Sequence, residues 1–235
     1  MAIDISLLVI WGLVTWCVAG EGAFGAAVTC LCSIVAGLVA MTFFEPFATF
    51  GQSYLIAGWA AYWDVIALVG TFAVAVTGLR FLADYLVRNS VDLGGLPEEI
   101  GRWFCGAVNG YMVMAFLLTA LHTAPLPREF LGFTPERRNL FNVMAPDRQW
   151  LGLTQFVSEH VFAIGGQPRI FDGPVANVVQ GVQDPMPNTV WPTFPIRYAS
   201  RRAQYSGEVF VAPQPVQQPV QQQPGGRSSG GAAGF

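Results

Sequence analysis

Lysine is absent from this 235-residue chain, histidine occurs only twice, and charged residues make up 11% of it. A water-soluble domain carries roughly 25% charged residues, so a fully solvated surface is excluded. Without lysine there is no Gly-Lys phosphate loop, and ATP hydrolysis by this chain is not expected. The net charge of −3 and the lack of clustered basic residues set nucleic acid aside as a partner. His122 and His160 have no second ligand at metal spacing, so neither a metal site nor a cofactor is expected. Ser158-Glu159-His160 holds the residue types of nucleophilic catalysis, but adjacent helical side chains diverge. No catalytic residue is assigned, and the chain reads as not an enzyme. Cys17, Cys30, Cys32 and Cys105 all fall in apolar runs and suit small buried hydrophobes better than a disulfide or zinc framework.

What is present is apolar: 53% of the residues are hydrophobic, and the uncharged runs gather in the first half. The run 5–19 is short for a bilayer core of about 30 Å at roughly 1.5 Å per residue, unless residues 1–6 extend it. A cleaved signal peptide is the competing reading, against which stands an N-terminal region holding Asp4 and no basic residue. The run 23–44 is long enough to cross and is expected to end at Glu45-Pro46, where proline stops a helix. Residues 45–63, with Gln52, Tyr54, Trp59, Tyr62 and Trp63, have the mixture found at the headgroup level. A third run extends from Asp64 to about Leu86, with Arg80 near its end as a snorkelling anchor. After the turn at Gly94-Gly95, Pro97-Glu98-Glu99 forms the acidic first turn of a helix whose fourth span runs from about Arg102 to His122. His122 reads as a cation at that helix's C-terminus.

The fold class expected is therefore an all-α membrane protein: about four transmembrane helices in a small bundle, then a partly helical extramembrane region and a disordered tail. Residues 1–124 form the four-span domain. Gly20, Gly22 and Gly25 are the tight turn between the first two spans. Gly106 and Gly110 form a G-x-x-x-G pair that admits another helix backbone. The third run supplies a smooth complement in Ala67, Gly70, Ala73 and Gly78. Asn109, between the glycines, should seek a partner on another helix. Packing within the chain is the first reading of the pair, and a homo-oligomer is the alternative. Asp4, Glu21, Glu45, Asp64 and Asp84 sit at span ends, so the spans lack the buried protonatable pairs of proton-driven transporters.

Residues 125–200 form the extramembrane region. Pro146-Asp147 caps an amphipathic helix over about 147–163, able to dock on the bundle or lie on the membrane. Residues 165–200 read as extended, with little structure of their own. Residues 201–235, rich in Pro, Gln and Gly, cannot bury a core and read as disordered.

Ile3-Asp4 before an apolar run, Gly20-Glu21-Gly22 with Phe24, and Gly94-Gly95-Leu96 leading into Phe104-Cys105-Gly106-Ala107-Val108-Asn109-Gly110 together resemble the colicin V production protein (CvpA) family. The likeness covers about residues 1–124; Glu21, Glu98-Glu99 and Asn109 stand where members usually carry Arg or an Asp-Arg pair. The resemblance implies a non-enzymatic, multi-pass protein of the bacterial cytoplasmic (inner) membrane that assists envelope function or toxin and peptide production and export. Its partners would be the lipid bilayer and other membrane proteins. A subunit of an oligomeric channel or transporter is the alternative. Arg80, Arg88 and Arg102 on one side balance Arg128, Arg137 and Arg138 on the other, so basic residues do not set orientation. The family's basic loops imply that the C-terminal half lies outside the cytoplasm.

Overall fold

The computed structural model describes residues 2–54, 59, 61–87, 94–126, 130–133, 139–141, 143–161, 194 and 198. The expected tail over 201–235, most of 165–200, and Arg88, Arg128, Arg137 and Arg138 lie outside them. Helix α1 is Ala2–Ala19, α2 is Gly22–Tyr54, α3 is Trp63–Leu86, α4 is Gly95–Thr123 and α5 is Pro146–His160. The first four are long and apolar enough to cross a membrane, and the chain is a multi-pass, all-α membrane protein.

Helix α2 runs straight past the expected stop at Pro46. A helical proline forfeits one backbone hydrogen bond, and packing beyond it carries the helix on. Ala48 and Gly51 are buried, and a Cβ on Gly51 would lie 2.5 Å from the Trp63 indole at the start of α3. Residues 47–54 therefore extend α2 alongside α3 instead of forming a separate interfacial segment. At roughly 1.5 Å per residue α2 is about 50 Å long, well over a bilayer core.

Helix α4 packs mainly on α1 and α2, and α3 packs mainly on α2, with smaller contacts between α1 and α2 and between α3 and α4. Helices α1 and α3 make no packed interface with each other. The glycine pair of α4 receives α1. A Cβ on Gly106 would stand 2.8 Å from the Thr15 carbonyl oxygen, and one on Gly110 would stand 2.6 Å from Thr15 Oγ1 and 2.7 Å from the Trp11 carbonyl oxygen. The Trp11 indole donates to the Ala107 carbonyl at 3.0 Å, fixing the register. The expected complement on α3 is thus corrected: Gly70 and Gly78 meet nothing within 4 Å, because α2 separates α3 from most of α4. Asn109 is buried beside the pair, yet its Oδ1 finds no hydrogen-bond partner among the described residues.

The turn between α1 and α2 is tighter than the three glycines suggested. Gly22, at φ +82°, opens α2, and Gly25 lies inside its first turns. A side chain at Gly22 would be strained, and its Cβ would come within 2.9 Å of Glu98 Oε1. Glu98 does more than open its own helix: its carboxylate accepts from the Ala23 backbone N–H at 2.6 Å, capping α2. Glu21 accepts from Thr29 Oγ1 at 2.6 Å and pairs with Arg80 at 3.0 Å, and Arg80 also reaches Asp84 at 3.3 Å. Arg80 is therefore tied to protein carboxylates at the end of its span, a more specific role than snorkelling.

Replacing Gly110 with leucine should lower stability by about 1–3 kcal/mol, the usual penalty for overpacking. Gly70→Leu, with open space around it, should not lower it. Thermal unfolding in detergent checks both, and an unaltered midpoint for Gly110→Leu would remove the α1–α4 contact as a packing determinant.

Candidate functional site at the base of the fifth helix

Polar groups are expensive in apolar surroundings unless paired, so the buried ones locate the site. Helix α4 ends with Thr119, His122 and Thr123, all buried. The spacing of three and four residues places them on one helix face. Thr119 and Thr123 return their hydroxyl protons to the Ala115 and Ala120 carbonyls at 2.9 and 2.8 Å. His122 Nε2 lies 2.9 Å from Asp147 Oδ2 in the first turn of α5, and both side chains are 0% exposed. Phe133 meets the imidazole edge-on, with ring centroids 5.0 Å apart.

Two expectations change here. His122 does stand in the last turn of α4 but is buried against α5, and Asp147 does not cap α5, whose N-cap residue Ala145 makes no side-chain hydrogen bond. The aspartate instead spans the gap between helices, and its backbone carbonyl lies 3.5 Å from Thr119 Oγ1. His122 Nδ1 and Asp147 Oδ1, both buried, have no hydrogen-bond partner among the described residues. The spans do contribute to a buried protonatable pair, which sits at the end of α4 and away from its centre. Among the described residues no set of three His, Cys, Asp or Glu could hold a metal ion.

A second lock lies one turn further along α5. Trp150 is buried, and its indole occupies the space above Gly37 of α2, where any Cβ would overlap the ring. The same indole packs edge-on against Phe116 of α4 at 5.8 Å, and Phe116 stacks on Phe72 of α3 at 4.2 Å. Tyr111 of α4 donates to Gln149 Oε1. Helix α5 thus docks on the bundle, and Trp150 reaches the apolar run 23–44 of α2, so the element is not confined to the surface outside the spans. Phe194 and Tyr198, within a stretch expected to have little structure, are also buried, with centroids 6.2 and 6.3 Å from Phe44. His160 Nδ1 donates to the Phe156 carbonyl at 3.1 Å and stacks on that ring at 4.6 Å.

Of the residues singled out from sequence, Gly106 and Gly110 meet α1, Asn109 is buried between them in the chain, and Gly20, Gly22 and Gly25 stand at the opposite end of the bundle from His122. Gly70 and Gly78 join neither group. The pair His122–Asp147 and the Trp150–Gly37 contact were not singled out together, and the available signal was weak: a histidine closing one helix and a Pro-Asp opening the next. No family model matches the chain, and neither a curated protein nor a solved structure matches it.

Truncation of one member of a buried pair strands the other. Asp147→Ala should destabilise the docked arm by about 1–3 kcal/mol, and Gly37→Val should release it by expelling the indole. Labelling of a cysteine introduced at buried Thr154 reads both, with modification expected to be faster in each variant than in the parent. Equal rates would show that neither contact holds α5.

Proposed function

We propose that the chain is a non-enzymatic scaffold of the colicin V production (CvpA) type in the bacterial cytoplasmic membrane. In this reading it assists envelope function, or the production and export of a peptide toxin or similar cargo, through helix–helix and extramembrane contacts. The observation that supports it best is the clamp at the base of α5. An arm held by His122–Asp147 and by Trp150 over Gly37 moves with α2 and α4, so a partner engaging the arm engages the spans. A face within the membrane is open as well. Helix α3 is the least covered span, and Gly70, Ala73, Val74, Thr77 and Gly78 lie exposed on one side of it, a small-residue surface of the kind on which membrane helices associate.

One observation favours a second reading, a subunit of an oligomeric channel or transporter. The wholly buried His122–Asp147 pair is the kind of protonatable group that ion-coupled transporters place among their helices. The two readings separate by experiment. A photoreactive residue at Gly78 should crosslink to another membrane protein in native membranes, while one replacing buried Ala40 should not. Purified protein in vesicles should show no proton or solute flux. Flux that disappears in His122→Gln would replace the scaffold with a transporter, and the absence of any adduct along α3 would remove the membrane-partner face.

Orientation belongs to the same reading, in which the loop joining α3 and α4 is cytoplasmic. Glu99→Cys should react with an impermeant maleimide only after spheroplasts are lysed; reaction in intact spheroplasts would invert the topology.

A further inference from the structure

Between α4 and α5 the described residues 139–141, 143 and 144 make a tight turn. Leu140 and Met144 form an antiparallel bridge, with N–H to O=C distances of 3.1 and 3.2 Å in the two directions. Phe133 is buried and Leu140 is partly buried against Ile3, Leu7, Met114 and Leu118. The neighbouring side chains stay uncovered. Phe141 is 54% exposed and Val143 70%, and Phe130, Leu131 and Met144 are exposed too. Leu131 and Phe141 hold φ at +54° and +50°, a left-handed conformation that bulky residues rarely adopt and that structures retain where something else over-determines it.

The depth of this loop is set by α1. The Phe141 N–H donates to Asp4 Oδ1 at 2.8 Å. Between Asp4 and the Gly20-Glu21 turn, the uncharged run 5–19 rises only about 22 Å, less than a hydrocarbon core of about 30 Å. So short a run cannot tilt without worsening the mismatch, and both of its polar ends are drawn to the hydrocarbon boundary. Phe141, bonded to one of those ends, lies at that boundary. Ile5, Leu8 and Val9 on α1, next in sequence to Asp4, are exposed and apolar too.

We propose that the loop carrying Phe141, Val143 and Met144 is an interfacial anchor that inserts its side chains among the acyl chains and headgroups of the bilayer beside α1. The ligand is lipid. Apolar side chains left uncovered at this depth enter the headgroup–acyl region favourably, and the Asp4 bond and the Leu140–Met144 bridge hold them there in advance. Phe133 behind the loop touches His122, so the anchor is mechanically continuous with the base of α5.

The test uses the full chain with its four cysteines replaced by alanine, carrying Val143→Cys with a nitroxide label, in phosphatidylcholine–phosphatidylglycerol vesicles. Spin relaxation by oxygen, which concentrates in hydrocarbon, is compared with relaxation by a water-soluble nickel chelate. An Ile5→Cys label serves as the apolar reference and free nitroxide in buffer as the aqueous one. Oxygen should be several-fold more effective than the chelate at position 143, close to the value at position 5. A label relaxed mainly by the chelate overturns the proposal, and so does one shielded from both, as contact between copies of the chain would produce. If Val143→Cys fails to fold, the same measurement on Met144→Cys decides by the same criteria.

Discussion

Lipid offers two apolar helices almost nothing for touching, because acyl chains are as apolar as leucine. Close backbone approach and polar contacts therefore hold this fold together, and both converge on α4. Its glycines at 106 and 110 admit α1 to the point where no Cβ fits. Its N-terminal Glu98 caps α2, and its C-terminal His122 receives Asp147 of α5. With α1 on one flank and α2 on the other, this helix places α1, α2 and α5, while α3 is placed chiefly by α2.

The same economy explains how much could be read in the chain before its structure. Spans announce themselves through uncharged runs, since a bilayer filters composition over some twenty residues, and the four appear where those runs lie. What the runs omit is which side of a helix meets which neighbour. Gly106 and Gly110 could be recognised as a contact, but composition points to the wrong partner, because α3 with Gly70 and Gly78 looks smoother than α1 with Thr15 and Ala19. Pro46 looked like a stop because local chemistry says so; the indole of Trp63 over Gly51 overrides it from a distance. The pairing of His122 with Asp147 joins residues 25 positions apart through a connector without a simple period, and neither residue signals the other.

The acidic residues at the turns of the bundle have a local meaning. Glu21 holds Arg80 and Thr29, and Glu98 holds the Ala23 N–H in the first turn of α2. Both acidic residues act at the turns that close the bundle, so their charge serves the chain's own geometry. Asn109 is buried with one oxygen unshared, and the structure gives no physical account of it.

The apolar run of α1 has a consequence for where such a molecule is comfortable. Membranes differ in thickness by a few ångström, and mismatch costs fractions of a kcal/mol for each of them. The long α2 can lean to absorb the difference, but the run 5–19 has no slack. In a sterol-stiffened or otherwise thick sheet the lipids around α1 would have to dimple inward, which favours residence in thin, compliant regions and draws neighbours with equally short spans together.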